Sequence, residues 1–383
     1  MFSFDAFGTL GVVHSSEDKA DFSSTIFKPD GAGHSDEWSA NVDSLLGGQV
    51  TATLTSQLSA VVQVIAERNY DETYQPHVEW ANIKYEFTPD FSVRVGRTVL
   101  PLALLSETRK VAYTYAWVRP PLETYRLIPL TNSDGVDVSY RFHAGRLTST
   151  LQLITGRNDI NVPNARGTLS SRHLRGITNS SEYGALTTHV AYLRSRGTFA
   201  RLDRTLFEAF RQFGPQGVAI ADEHSLNDSA ISLVMLGANY DPGAWFVTAE
   251  WGHLKSTGFV GGTAWHASGG YRFGKFIPYV TYAQATADRL SDPGLDVATL
   301  PPDLTEQALA LNAALNAILS SKTVQSTVAI GGRWDFMTNV SFKLQLEHIR
   351  IGAGSSGVLG NIQPGFQLGG QANIVSATFD FVF

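Results

Sequence analysis

The chain has 383 residues, 43% of them hydrophobic and 17% charged, with 35 Gly, no Cys and a formal net charge of -6. A charged fraction below the roughly 25% of soluble globular chains does not suit a wholly water-facing surface, and without a run of Lys and Arg no nucleic-acid surface is expected. Zero Cys excludes disulfide scaffolds, thiolate zinc sites and Cys nucleophiles.

No stretch approaches the 18 consecutive apolar residues of a membrane-spanning helix, which excludes a helical membrane protein. The opening Met1-Phe2-Ser3-Phe4-Asp5 lacks a charged segment followed by an apolar one. No signal peptide is therefore expected in this sequence, as in a cytosolic protein or a mature form with a starting Met.

The first predicted strand runs from Phe4 to His14. From Val50 to Val64 the even positions are mostly apolar (Val50, Ala52, Leu54, Leu58, Ala60, Val62, Val64) and the odd ones mostly polar, a period of two that predicts strands. A strand that ends in two or three turn residues and restarts at once recurs at Leu54–Leu58, Phe87–Phe91, Phe142–Gly145, Glu182–Gly184, Tyr240–Gly243, Phe273–Lys275 and Phe336–Asn339. The Gly, Pro, Asn and Asp in these turns suit tight hairpins. Long polar or Gly-rich segments separate them, at 15–42, 69–77, 98–133, 158–173, 197–227, 256–263, 286–321 and 352–370. Seven hairpins with a strand at each end, the last from Gln371 to Phe383, make sixteen strands. Short turns alternating with long loops over an even strand count are the pattern of an all-β fold, a transmembrane antiparallel up-and-down β-barrel.

Side-chain alternation supports that reading. Val375, Ala377, Phe379, Phe381 and Phe383 share one face of the last strand, against Ser376, Thr378 and Asp380. Ala81, Ile83, Tyr85 and Phe87 likewise oppose Asn82, Lys84 and Glu86. In lipid the apolar face must point outward and the polar face toward water inside. Aromatic residues beside the turns, among them Phe87, Tyr140, Tyr240, Trp245, Phe273 and Trp334, suit an interfacial girdle.

Over its full length the chain resembles the sixteen-stranded porins of Gram-negative outer membranes. The resemblance rests on the seven hairpins, on the terminal Phe379-Asp380-Phe381-Val382-Phe383, which looks like that family's assembly signal, and on two stretches. These are Trp80 to Arg97, and Tyr113-Thr114-Tyr115-Ala116-Trp117-Val118-Arg119-Pro120-Pro121-Leu122-Glu123-Thr124-Tyr125. It implies a homotrimer in outer-membrane lipid and lipopolysaccharide, secretion with a cleaved signal peptide, and passive diffusion of ions and small hydrophilic solutes, without a cofactor. It also implies one barrel domain over 1–383, with the long extracellular loop 98–133 folded into the lumen as its constriction.

A barrel this wide leaves a water channel that something must restrict. The candidates in and beside the constricting loop are Arg94, Arg97, Glu107, Arg109, Lys110, Arg119 and Glu123, with Lys84 and Arg141 on the inward wall and the aromatic Tyr113, Tyr115 and Trp117. Lys84, Arg94, Arg141, Arg146, Arg272, Arg333 and Lys343 are expected inward, against Glu86, Asp137, Glu250, Asp335, Glu347 and Asp380. Opposed charges across a narrow opening order polar solutes and set ion preference. The aromatic group also permits, without requiring it, the alternative of a sugar- or anion-selective channel of the same barrel class.

Other motifs carry less. Gly352-Ala353-Gly354-Ser355-Ser356-Gly357 matches the dinucleotide glycine pattern, but a loop, not a helix, is expected after it. Asp222, Glu223 and His224 with Asp228 could hold a divalent cation, since hard cations take clustered oxygens, but a polar extracellular loop without a resident metal is the expected reading. Residues 304–320 have helical spacing and predict a short helix packed on loops. An outer-membrane hydrolase would need paired Ser and His; Ser139 and His143 share a face, but beside a periplasmic turn, and no G-x-S-x-G elbow is present. No enzymatic activity is expected.

Overall fold

The computed structural model describes residues 1–163, 167–225, 227–258, 261–288 and 290–383, so small parts of four expected loops, at 164–166, 226, 259–260 and 289, lie outside the described residues. Sixteen long strands close into one antiparallel barrel. They are β1 (Phe2–Ser15), β2 (Leu45–Thr53), β3 (Leu58–Glu67), β4 (His77–Thr88), β5 (Phe91–Val99), β6 (Asn132–Ala144), β7 (Leu147–Val162) and β8 (Gly167–Tyr183). The second half is β9 (Leu186–Phe199), β10 (Ser229–Tyr240), β11 (Trp245–Ser256), β12 (Gly262–Tyr271), β13 (Phe276–Thr286), β14 (Gln325–Met337), β15 (Val340–Ile351) and β16 (Gly370–Val382). Each strand pairs with its sequence neighbours, and β1 pairs with β16 from Phe7↔Val382 to Ser15↔Ile374. The seam is tied at its foot, where Phe383 and Ala6 exchange main-chain hydrogen bonds of 2.7 and 2.8 Å.

All seven expected hairpins are present as short turns at one end. Gly145, Gly184 and Gly274 hold φ near +60° there, the left-handed conformation that these turns need. Most outward side chains are apolar or aromatic and exposed, including Val190, Tyr192, Leu236, Val280, Leu344 and Phe379. Alternate inward ones such as Ser376, Thr378 and Asp380 are buried.

The extracellular loops are L1 (16–44), L2 (68–76), L3 (100–131), L4 (163–166), L5 (200–228), L6 (257–261), L7 (287–324) and L8 (352–369). The expected loop 158–173 is mostly strand: β7 and β8 continue pairing up to Val162↔Gly167 across a bulge between Gly156 and Asn158, because alternation survives in that polar sequence. Arg172 pairs with Asp159 at 2.8 Å there. The L7 helix is long, Pro302–Ser320, and its buried Ala308, Leu315 and Leu319 pack on Leu206, Phe207, Phe210 and Ile220 of L5. No described helix is long and apolar enough to cross a membrane. Inside the rim, L1 and L8 form a small sheet (Asp21–Phe22, Ala32–Gly33, Leu359–Gly360) over Val13, Ile349, Ile351, Ala372 and Ile374.

Candidate pore constriction

L3 leaves β5 and returns to β6 with the Leu100 N–H donating to the Thr131 carbonyl at 2.9 Å. Its apolar residues explain why it does not float in water. Leu100, Leu102, Ala103, Tyr125 and Ile128 pack on Ile154, Leu174, Ala191, Leu193, Leu233 and Met235, inward side chains of β7 to β10. Farther along, Ala112, Tyr115 and Trp117 pack on Phe246 and Tyr279 of β11 and β13. Burying each large side chain contributes about 1.5–3 kcal/mol. The inward wall thus carries apolar patches where L3 lies on it, set among polar side chains, where alternation led to the expectation of polar residues inside.

Polar anchors fix the loop's path. Trp117 Nε1 donates to Ser268 Oγ at 2.8 Å and Thr281 Oγ1 at 3.1 Å. Lys343 Nζ donates to the carbonyls of Ala112 (2.7 Å) and Trp117 (2.8 Å) and pairs with Asp380 at 3.0 Å. Arg333 donates to the carbonyls of Tyr113 and Tyr115. Arg119 forks onto Asp43 at 2.9 and 2.6 Å, bonds Ser376 Oγ at 2.6 Å and pairs with Glu347. Those carboxylates hold its guanidinium well above the usual arginine range despite burial. Across the lumen Glu250 accepts from Leu104 N–H (2.8 Å) and Tyr125 OH (2.7 Å), while Glu123 accepts from Gln325 and Thr327. Buried charges left without partners are strongly unfavourable, so these contacts hold the loop in one arrangement.

Two cavities flank L3. One of about 350 Å³ lies between L3, L1 and the walls of β1 to β4. Another of about 1050 Å³ lies among L3, L7 and L8 toward the extracellular side, and both are bordered by Lys28. Around the narrower one, Lys110 of L3 pairs with Glu67 of β3, and His77 sits 3.8 Å from both Glu67 and Glu79. Three cations beside the cavities bond main-chain carbonyls instead of carboxylates. Lys28 Nζ donates to Asn41 (2.9 Å) and Val42 (2.8 Å). Arg109 donates to Ile128 (2.6 Å) and Tyr125 (3.2 Å) and lies over the Tyr125 ring. Arg126 donates to Ser23 at 2.7 Å, and its Nε has no partner among the described residues. Burial lowers the pKa of all three, that of Arg126 to about 10, so Arg126 still carries its charge at neutral pH.

A sequence profile of Gram-negative porins matches residues 9–353. The chain belongs to the Gram-negative porin family. It is an outer-membrane channel for passive diffusion of ions and small hydrophilic solutes. Solved structures share the fold: an anion-selective porin from Comamonas acidovorans (12% identity, 100% of each chain, TM-score 0.57), and Salmonella typhi OmpF in complex with daunomycin (13%, 100% of this chain and 97% of that one, 0.57). The trimer form of Vibrio cholerae OmpT is similar as well (11%, 100% and 99%, 0.52). No curated protein matches the sequence significantly.

The candidate residues of this porin fall into three groups. Arg109, Lys110, Tyr115 and Arg119 border the narrower cavity, with Arg97 at its rim. Tyr113, Trp117 and Glu123 face the wall: Trp117 and Glu123 are buried there, and Tyr113 is covered by Arg333 at 4.5 Å, so they form no continuous aromatic track. Arg94 pairs with Asp137 at 2.7 Å and lies 4.0 Å from Glu107, while Lys84 pairs with Glu86 at 2.6 Å. Arg97 reaches the narrower cavity from the rim, and the placement of Arg141 corrects the expectation. Arg97 is in register with Val62 and Ala81 through β3 to β5, an outward row, and forks onto Asp134 at the upper rim. Arg141 is exposed beside the periplasmic β4–β5 turn, where its N–H bonds Asp90, away from L3.

Sequence reasoning missed Lys28, Asp43, Glu67 and Glu79 and did not single out Arg126. Glu67 was accessible, since it continues the inward phase of Gln63 and Ile65. Glu79 was not, because a bulge between Gln63 and Val64 in the β3–β4 register reverses the phase of β4 below His77.

Proposed function

We propose that the whole chain works as one barrel domain in a homotrimeric porin whose path past L3 favours small anions. The observation that carries this is a set of cations, Lys28, Arg109 and Arg126, bonded to main-chain carbonyls, with no carboxylate ion-pair partner among the described residues, placed from the outer cavity to the narrow one. Leaving aside the rim residues Arg97 and Asp159, the narrow cavity is bordered by Lys28, Arg68, Arg109, Lys110 and Arg119 against Asp43, Glu67 and Glu79. A net positive lining in a confined, poorly screened space raises the local anion concentration. The anion selectivity in the name of the Comamonas relative agrees with this reading.

The trimer reading draws on the OmpT trimer form and on the outer face of β16 and β1 to β4. Outward positions there are Val375, Ala377, Leu10, Val12, Val50, Ala52, Val62, Ile83 and their like, with no Asp, Glu, Lys or Arg among them. A smooth apolar face suits subunit contact. A channel also fits better than a hydrolase: Ser139 is bonded to Gln152 and Asp137, while His143 contacts Thr148 and Asp90, so the two do not form a nucleophile and base.

Reversal potentials in a KCl gradient across planar bilayers test the reading. Wild type should prefer chloride, and the K28Q/R126Q variant should lose at least half of that preference. A cation preference in wild type overturns it. Conductance arriving in groups of three steps is expected for the trimer.

A further inference from the structure

We propose that the outer cavity binds organic anions that carry one carboxylate on an apolar body, and loads them onto the path past L3. This names a substrate class within the anion-channel reading above and rests on it. The cavity, of about 1050 Å³, has the dimensions of a large small-molecule pocket. Four loops border it: Ile26 and Lys28 come from L1, Arg126 from L3, Leu311 from L7, and Ile362 and Leu368 from L8.

One side of the cavity is cationic. Arg126 donates to the Ser23 carbonyl and Lys28 to those of Asn41 and Val42, and neither meets a carboxylate among the described residues. Glu123 is the one carboxylate among the described residues of the border, and Gln325 and Thr327 both donate to it from the wall. A carboxylate that enters therefore finds a guanidinium to which the fold supplies no anion. Hydrogen bonds between the arginine fork and a planar carboxylate are among the strong ones.

The other side is apolar and uncovered. Ile26, Ile362 and Leu368 are 43%, 45% and 48% exposed although they border the solute path. Leu311 and Ile318 of L7, only partly buried against the L5 helices, continue the same surface. Single exposed apolar side chains are ordinary, but a cluster of them around one cavity marks a place for an apolar ligand surface. Chloride or acetate would use the cationic side alone, whereas an apolar body seated here also leaves water. Lys28 borders both cavities, so a carboxylate released by Arg126 meets Lys28 next, then Arg109 and Lys110 of the narrower one.

The test adds phenylbutyrate, acetate or the neutral phenylbutyramide at neutral pH to wild-type protein carrying a KCl current in planar bilayers. Phenylbutyrate should halve the current at a concentration at least tenfold below that of either other solute. R126Q and I26N/L368N should each raise that concentration at least fivefold, with the heat-dependent gel shift retained. The control L309N, on an exposed part of the L7 helix outside the cavity, should behave as wild type does. The three-solute comparison on wild type needs no variant to fold. A chloride preference combined with phenylbutyrate no more potent than acetate overturns this proposal and leaves the anion-channel reading standing. A cation preference in wild type overturns both. Equal block by the amide, or block unchanged in I26N/L368N, overturns the proposed pairing of a charged head with an apolar body.

Discussion

Lys343 has no exposed surface, yet its ammonium meets Asp380 and two L3 carbonyls. Removing one partner of a buried pair leaves the other charge uncompensated, about 3–5 kcal/mol. Lys343→Met should therefore lower the midpoint of the heat-dependent gel shift well below wild type, and K343M/D380L should recover most of the loss. Trp117 fastens the same stretch of loop from the other side, through Ser268 and Thr281. Trp117→Ala removes about 3–5 kcal/mol of packing, and single-channel traces should show added open-state noise. Arg126 supplies a pH prediction. Its pKa is lowered, so the charge is present below about 10 and lost as pH rises through that value. Chloride preference should stay level from pH 6 to 8.5 and decline as pH approaches 10, read from reversal potentials.

At the scale of elements, L3 is the part whose removal has the clearest expected effect. Replacing 106–118 with a short Gly and Ser linker withdraws the stretch held by Lys343, Arg333 and Ser268. Single-channel conductance should rise at least twofold, with the barrel's gel mobility retained. Strands and turns were readable in sequence because lipid outside and water inside enforce a strict period of two, and Gly or Asn must occupy the left-handed turn positions. The inward course of L3 was implied by the resemblance, and the apolar run from Leu100 to Leu105, which needs cover, agrees with it. Its anchors were not readable: Gln325, Thr327 and Glu250 meet Glu123 and Tyr125 across more than a hundred residues of chain. Lys28 lies on a loop with no period at all, and nothing in L1 announces that it reaches the narrow cavity.

For the whole molecule, the outer surface has two characters that no linear window displays. Charge is missing outward along β16 and β1 to β4, and it concentrates on β8, β9 and β11. The absence of a basic run in the sequence is therefore compatible with a basic surface, because neighbouring strands bring together residues about twenty positions apart. The pairing of β1 with β16 has a consequence for how the molecule forms. Their contact joins residues more than 350 positions apart, so the closing step has the longest loop to bring together. Until then both terminal strands have unpaired amide edges, which hydrocarbon tolerates poorly. Maturation in the membrane should accordingly be all-or-none at the final strand, with partial sheets kept outside the bilayer or shielded by another protein edge until β16 arrives.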